Sequence, residues 1–465
     1  MGITNAAAVA NAMAVIYKMR GMKAQFTRFS KTLRLFQAST GVMEGSSKKI
    51  KVLVQPMTAV RPTKTGQESE FPVARTIDWA EWEVAWSDLC ELQASYNYTG
   101  YARQQAKSKK ASVFDAATDL IGTADEDFAT QLNAQLHQNA NCDIAQVSAV
   151  YDDDGSTGYS SGAAYIKIED GSISQFVKGM AITFIDSDGT DVDATVNDVF
   201  TGREGKTGTS GNGPGIVVTE KTGESTGFGS LAQNDPIRLE DVSTSSNFSS
   251  FPVWFARTGT LYGINRATVG NAWTWPHIKT WYDSANVTLD LDEHLGEVAE
   301  DLAYAIDRGR RIRPEKGIAL TSAAMAFLST PKICSEASRQ VGDQMRQVTD
   351  LDKSIRKELF GTTGFDKAYW HNPLLGPVMF QHDPVATPNC FRMLEPNSWQ
   401  WILGHKGSLQ SVEWLNADGS LWHYQYGDNG RLVNSMIAGA LMRVSLLCDQ
   451  PLANLQGSGV KSSLD

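Results

Sequence analysis

The sequence predicts an α+β fold in which a long helix, a projecting β-hairpin and an inserted all-β segment join a larger mixed body. Three observations carry this prediction. Between residues 101 and 138, apolar residues recur at steps of three and four, as on one face of a helix: Val113, Ala117, Leu120, Ala124, Phe128, Leu132 and Leu136. Residues 148–241 alternate short β runs with Gly and Asp turns. The remaining strands and helices follow no βαβ rhythm, which argues against a doubly wound sheet.

The length of the chain indicates how many compact units it forms, and the distribution of charge indicates an interacting segment. A chain of 465 residues is too long for one typical core, so two to four compact units are expected. The net charge of −10 is unevenly distributed along the chain, because residues 1–64 carry eleven Lys and Arg and the single acid Glu44. Such asymmetry is typical of an interaction arm. The basic segment is expected to contact nucleic acid or the acidic body of a neighbouring subunit, or else to be a solvated helix face.

Several classes of protein find no support in the composition. No run of about 18 apolar residues is present, so no membrane span is predicted. Lys18, Arg20 and Lys23 follow the apolar part of the N-terminus, and a secretory signal has the reverse order. The five cysteines stand singly, with no CxxC spacing, which predicts neither a zinc site nor a disulfide framework. A reducing cytoplasm is the simplest compartment for such a chain.

The first 86 residues predict an arm followed by a hairpin. Residues 1–45 have too few large apolar positions to fold alone, so they are expected to gain order from another surface. Residues 50–54 and 73–86 read as strands, separated by turn and loop chemistry over 59–72. A hairpin is marginally stable in water by itself, so this one is expected to lie on another surface.

The helical region 101–138 contains one candidate break. Gly122 costs about 1 kcal/mol relative to Ala in a helix interior. Residues 123–126 (TADE) also have the pattern of a capping box that starts a helix. The sequence therefore leaves two alternatives open, one kinked helix or two abutting helices.

The remaining elements are expected in the following order. Residues 148–247 form a small antiparallel barrel or sandwich, with strands at 164–168, 180–185, 194–200, 215–219 and 236–239. The Trp-rich segment 251–281 is buried connecting structure. Helices are predicted at 291–308, 322–328 and 352–360, and strands at 318–320 and 377–380. Residues 420–426 and 431–447 form a hairpin of long strands.

The candidate catalytic, cofactor and metal sites in the sequence lack the residues or the spacing that such sites require. Residues 202–207 end like a phosphate-binding loop, but Phe200 replaces its first Gly and no helix follows. Asp186, Asp188, Asp191 and Asp193 lack the spacing of a helix–loop–helix calcium site, and a hairpin turn explains them better. His294 is expected to be a surface residue rather than a base or ligand. No catalytic residue, cofactor or metal is therefore predicted, and the Trp cluster is read as core rather than a sugar-binding cleft.

The order of parts resembles the major capsid protein of tailed bacteriophages, the Hong Kong ninety-seven fold. Local motifs resemble the family in the same order: TIDW at 76–79 with SDLCEL at 87–92, LYGINR at 261–266 followed by Trp273 and Trp275, LGPV at 375–378, and QPLANL at 450–455. The likeness extends over most of the chain from residue 45 onward. Each motif is weak alone, and their order carries the resemblance.

The resemblance implies a domain plan and a set of partners. The N-terminal arm would occupy 1–45, the extended loop 46–85, the peripheral domain with its spine helix 86–147, the insertion 148–247, the axial domain 248–395, and the return to the peripheral domain 396–465. It implies a structural protein, not an enzyme, that forms hexamers and pentamers of an icosahedral shell around double-stranded DNA in a virion assembled in the bacterial cytoplasm. Portal, scaffolding and decoration proteins are the further partners implied. The inter-subunit contacts expected are Arg28, Arg34, Arg61, Lys64 and Glu68.

Overall fold

The computed structural model describes twenty-four stretches of the chain. They are residues 32–39, 48–53, 79–84, 90–99, 116–138, 143–153, 158–171, 173–186, 191–200, 214–221, 227–240, 249–256, 259–261, 264–265, 277–281, 286–303, 325–347, 362–363, 368–372, 374–403, 413–414, 423–426, 432–448 and 451–463. Statements about the fold and its contacts refer to these residues.

The strands in chain order are β1 (Gln37–Ser39), β2 (Lys48–Leu53), β3 (Trp79–Val84), β4 (Cys90–Thr99), β5 (Ala145–Asp152), β6 (Ala164–Gly171), β7 (Ala181–Phe184), β8 (Val192–Phe200), β9 (Gly215–Glu220), β10 (Pro236–Leu239), β11 (Thr260–Leu261), β12 (Ile264–Asn265), β13 (His277–Thr280), β14 (Val287–Thr288), β15 (Met325–Ser329), β16 (Thr362–Thr363), β17 (Ala368–Asn372), β18 (Gly376–His382), β19 (Cys390–Leu394), β20 (Trp399–Leu403), β21 (Glu413–Trp414), β22 (His423–Tyr426), β23 (Leu432–Cys448), β24 (Leu455–Ser458) and β25 (Val460–Lys461).

The helices in chain order are α1 (Ala116–His137), α2 (Phe251–Phe255), α3, and α4 (Pro331–Gln347). Helix α3 begins with a π-helical turn, Leu291–Leu295, and continues as α-helix over 296–303. Single 3₁₀ turns occur at Thr32–Arg34, Ile173–Gln175, Phe228–Ser230, Pro396–Ser398 and Pro451–Ala453. In the described part of the chain, no helix is both long enough and apolar enough to cross a membrane.

The first sheet is built on β23, which pairs antiparallel with β4, β20, β21 and β22. The pairing with β4 runs over ten residues, from Ser435 opposite Thr99 to Val444 opposite Cys90. Strand β1 joins the far side of β20 in parallel. Helices α1 and α2 bury their apolar sides against this sheet, in a core that includes Phe128, Leu132, Leu136, Trp254, Trp399 and Trp401.

The second sheet has seven strands in the order β13, β24, β19, β15, β18, β17, β16. Strand β24, which is far from the rest of this sheet in sequence, lies inside it, between β13 and β19. Helices α3 and α4 supply apolar side chains to the core on this sheet, among them Leu295, Leu302, Ile333 and Val341.

The helix predicted at 322–328 is wrong, because the structure has strand β15 at Met325–Ser329. β15 lies between β18 and β19, and its five residues are all buried. A strand that is covered on both faces reads as a continuous apolar run, and periodicity cannot distinguish that run from a buried helix.

The inserted segment forms a closed barrel with the strand order β10, β5, β6, β9, β8, β7. Its strand pairs are antiparallel. Buried and partly exposed residues alternate along β7 and the first half of β8, as expected for strands with one face toward a core. Phe184, Ile216 and Ile237 are among the side chains that fill the interior.

Three small sheets complete the fold: β2 with β3, β11 with β12, and β14 in parallel with β25. Helix α1 is continuous through Gly122, so of the two alternatives left open by the sequence, two abutting helices that meet at 123–126 are not observed. The predicted helix at 352–360, the strand at 318–320 and residues 101–115 lie outside the described residues.

Candidate assembly site

Residues 32–39 form the root from which the basic N-terminal segment begins. Thr32, Leu33 and Phe36 are buried, although they belong to the segment 1–45, which has few large apolar positions. The Phe36 ring lies among aromatic rings, with centroids 6.0 Å from that of Phe251 and 5.8 Å from that of Trp399. β1 then adds in parallel to the edge of β20, from Gln37 opposite Gln400 to Ser39 opposite Ile402. The root is thus fixed to the core of the first sheet.

A buried carboxylate holds the root to the second sheet. Asp383, in the turn after β18, is fully buried and accepts hydrogen bonds from Thr32 Oγ1 at 2.5 Å and Asn133 Nδ2 at 3.1 Å. The backbone N–H of Val385 donates to the same carboxylate at 3.0 Å. Burial alone would raise the pKa of Asp383, but His137 and these hydrogen bonds outweigh it and lower the pKa to about 2. Asp383 is therefore an anion at neutral pH.

His137, at the end of α1, lies between this anion and a buried cation. Its Nε2 is 3.5 Å from Asp383 Oδ2, and its Nδ1 is 3.3 Å from Arg392 Nη1. A guanidinium only donates hydrogen bonds, so Nδ1 must accept, and the proton of the neutral ring is on Nε2. Burial lowers the pKa of His137, and the nearby Asp383 only partly offsets this.

Arg392 is held by neutral groups on its other sides. Its Nε donates to Gln456 Oε1 at 2.9 Å, and its Nη2 donates to Thr387 Oγ1 at 3.1 Å. The guanidinium carbon is 5.3 Å from the centroid of Phe251, in a cation–π contact with α2. Thr32, Asn133, His137, Asp383 and Arg392 are called the junction below. The junction joins the root, α1, α2 and the second sheet through one anion and one cation.

The junction is a positioning device rather than a reaction centre. Asp383, Arg392 and His137 are 0%, 2% and 6% exposed, so the three groups offer no surface to a substrate. Removing one partner of a buried charge pair leaves the other without compensation, which costs about 3–5 kcal/mol. The junction therefore fixes where the N-terminal segment leaves the body of the protein.

A second polar cluster fixes the C-terminus to α4. Glu336 is buried and accepts hydrogen bonds from Arg339 at 2.5 Å, Gln340 at 2.9 Å and Ser463 Oγ at 2.6 Å. Burial acts to raise the pKa of Glu336, but the three hydrogen bonds prevail and lower it from 4.5 to about 2. Because Gln340 also bonds Leu289 and Leu291, α4, the start of α3 and the C-terminus are tied together.

The hairpin of β2 and β3 is a separate two-stranded sheet in the described part of the chain. Six residue pairs run from Lys48 opposite Val84 to Leu53 opposite Trp79, and neither strand pairs with another described strand. The predicted tip of this loop lies outside the described residues.

Nucleophiles and metal ligands are not assembled in the described part of the chain. Cys90, Cys334, Cys390 and Cys448 form no disulfide and are buried, and burial raises the pKa of the Cys334 thiol to about 12. No group of three or more His, Cys, Asp or Glu there could hold a metal ion. Within the former calcium candidate, Asp193 instead accepts a hydrogen bond from Thr183 Oγ1 at 2.6 Å across the β7–β8 pair.

The prediction for His294 was wrong, because this residue is 5% exposed. Its Nδ1 accepts the backbone N–H of Asp290 at 2.9 Å, and its ring lies 4.9 Å from the ring of Trp281. His294 follows Leu291 by three positions and precedes Val298 by four, so the apolar face of α3 includes it. The helical spacing in the sequence therefore already indicated that His294 is buried.

The predicted inter-subunit contacts are only partly within the described chain. Arg34 ends the 3₁₀ turn of the root, so it lies next to the junction in sequence. Arg28, Arg61, Lys64 and Glu68 lie outside the described residues. Sequence reasoning missed the junction altogether. Asn133 and His137, four residues apart beside the apolar row of α1, were the available signal, but nothing in the sequence pairs them with Asp383.

Comparisons with known proteins give structural similarities only. No protein-family model and no curated protein matches the chain. The structure is similar to the cyanophage A-1(L) capsid asymmetric unit, with a TM-score of 0.47, 10% identity and coverage of 93% of each chain. It is also similar to the capsid of Myoviridae phage XM1, with a TM-score of 0.39, 8% identity and coverage of 93% of this chain and 92% of that one. A third is the capsid of a native GTA particle, with a TM-score of 0.36, 11% identity and coverage of 92% and 90%.

Proposed function

We propose that this chain is the major capsid protein of a tailed bacteriophage, which assembles into hexamers and pentamers of a closed shell around double-stranded DNA. The observation that carries the proposal is the anchored root. Residues 32–39 are fixed in the core and at a sheet edge, and the segment before them contains five Lys and Arg and no acid. A basic segment that starts from a fixed point is suited to contact something outside its own body.

The length of that segment supports contact with other copies. Thirty-one residues can span at most about 100 Å, at about 3.3 Å per residue. A compact body of 465 residues has a radius of gyration of only about 23 Å. Fixing each residue of backbone costs about 1–2 kcal/mol, so an arm is worth ordering only where it gains contacts. Neighbouring subunits with an acidic body supply such contacts, as does the phosphate backbone of packaged DNA.

The hairpin supports the same proposal. An isolated two-stranded hairpin is marginally stable in water, and β2 and β3 pair with each other but with no other described strand, so the hairpin needs another surface to stabilise it. We assign this loop to a neighbouring subunit, together with Arg61, Lys64 and Glu68 in its predicted tip.

The domain plan of the proposal follows the parts of the fold. The first sheet with α1 serves as the peripheral domain, the second sheet with α3 and α4 as the axial domain toward the capsomer centre, and the barrel as an insertion. Shells hold through many weak contacts made at once, so each contact can be modest. Portal, scaffolding and decoration proteins are the further partners proposed, and the virion is the proposed location.

Two alternatives are less well supported. An encapsulin-like compartment shares the fold, but its members are expected to be shorter and to lack the insertion. A carbohydrate-active hydrolase would need exposed Trp side chains. Trp254 is instead buried and donates its indole N–H to Leu446 O at 3.1 Å, and Trp281 stacks on Phe391 with centroids 5.7 Å apart. Trp273 and Trp275 lie outside the described residues.

Deletion of the N-terminal segment tests the proposal. Removing residues 1–45 is expected to abolish shells, but it also removes Thr32 and Phe36 from the core. Removing only residues 1–31 spares the root, so soluble subunits that no longer form shells in negative-stain microscopy would support an arm function. Shells of unchanged number and size from this shorter deletion would refute it.

A further inference from the structure

We propose that the junction is a proton-sensitive latch, in which neutral His137 holds the root of the N-terminal segment to the second sheet and protonated His137 releases it. This inference rests on the junction geometry and does not depend on shell formation. It assigns to one residue the control of how firmly the N-terminal segment is attached.

The latch works because the ring of His137 has a donor side and an acceptor side. Nε2 is 3.5 Å from Asp383 Oδ2 and Nδ1 accepts from Arg392, so only the neutral tautomer with its proton on Nε2 suits both neighbours. A second proton would enter at Nδ1, 3.3 Å from the guanidinium nitrogen, where it removes the acceptor and places two cations in contact. The buried cluster would also change from charge-balanced to a net charge of +1, which is unfavourable in a desolvated site.

His137 is surrounded by groups from several elements. Asp383 comes from the turn after β18 and Arg392 from β19, and these are its charged neighbours among the described residues. Helix α2 contributes the Phe251 ring, with centroids 5.5 Å apart, and the root and α1 contribute neutral Thr32 and Asn133 through Asp383. Asp383 favours protonation of His137, whereas burial and, to a smaller extent, Arg392 oppose it.

The direction of the pH effect follows from this arrangement. Burial lowers the pKa of His137 below its ordinary value of 6.5, so the unfolded or detached state binds the proton more readily. The latch is therefore fully stable above about pH 6.5, and it weakens as the pH falls below that value, by up to about tenfold per pH unit. The change reaches the root because Thr32 donates to the same Asp383 carboxylate.

Hydrogen exchange on the full chain tests the latch. Exchange of residues 32–39, corrected for the intrinsic effect of pH, is compared between about pH 7.5 and pH 5 in the wild type, His137→Gln and His382→Gln. His382 is the matched control, because it is one residue from Asp383 but exposed. The wild type and His382→Gln should lose about tenfold or more of their protection at low pH, whereas His137→Gln should lose none. An unchanged pH dependence in His137→Gln, or a flat wild-type profile, would overturn the proposal.

A second variant keeps the test decisive if His137→Gln does not fold. In Arg392→Gln the cation is removed while Asp383 remains, so the pKa of His137 should be lowered less than in the wild type, although burial still lowers it. The loss of protection of residues 32–39 between about pH 7.5 and about pH 5 should therefore be smaller than in the wild type. If Arg392 only filled space, Arg392→Gln would lower the protection of residues 32–39 equally at both pH values. That result would also contradict the latch.

Discussion

Replacing Phe36 by Ala should detach the root of the N-terminal segment without unfolding the rest of the protein. Phe36 is 5% exposed, and its ring lies within 5.8–6.3 Å of the rings of Phe251, Trp399 and Trp401. Truncating a buried Phe to Ala costs about 3–5 kcal/mol. At the lower limit, about 3 kcal/mol, the detached state gains about 150-fold in population, since about 1.4 kcal/mol is a factor of ten.

Hydrogen exchange of residues 32–39 measures this change directly, and Phe176→Ala is the matched control. Phe176 is 4% exposed and packs in the barrel core, so its truncation has the same chemistry in another unit. Phe36→Ala should lower protection of the root, and Phe176→Ala should lower protection of the barrel alone. The reasoning fails if Phe36→Ala leaves residues 32–39 protected as in the wild type, or if Phe176→Ala exposes them equally.

Other substitutions test separate parts of the account. A Cβ at Gly457 would lie 2.5 Å from the Phe391 ring, so Gly457→Ala should destabilise the second sheet by about 1–3 kcal/mol. A Cβ at Gly215 would lie 2.6 Å from the backbone oxygen of Ile166, so Gly215→Ala should destabilise the barrel instead. Amide hydrogen exchange mapped along the chain distinguishes the two results. A uniform loss of protection over the whole chain in either variant would contradict the prediction for that variant. Glu336 has a pKa lowered from 4.5 to about 2, so its stabilisation is present above about pH 4.5 and is lost as the pH falls toward 2. The difference in unfolding free energy between wild type and Glu336→Gln, at most about 3 kcal/mol, should therefore shrink over that range, and a constant difference would show that the carboxylate charge is not responsible.

The parts of the fold with a strong local period could be predicted from the sequence. The apolar row of α1 predicted that Phe128, Leu132 and Leu136 share a helix face, and all three are buried. The β runs of the insertion likewise correspond to barrel strands, because one buried face imposes alternation on them. Strand β15 was missed because burial on both faces removes that alternation.

The candidate site could not be predicted, for a physical reason. The junction combines Thr32, Asn133, His137, Asp383 and Arg392 from distant parts of the chain, and each of them is an ordinary polar residue in its local sequence. Their pairing depends on where the two sheets meet, which no local pattern specifies. The contacts predicted at Arg28, Arg34, Arg61, Lys64 and Glu68 remain predictions.

Electron microscopy of particles formed by the full 465-residue chain tests the central claim most directly. The account predicts closed shells, or rings of five and six subunits, in which the hairpin of one copy lies on the body of the next. A monodisperse monomer, with the N-terminal segment and the hairpin both folded against their own subunit, would contradict it.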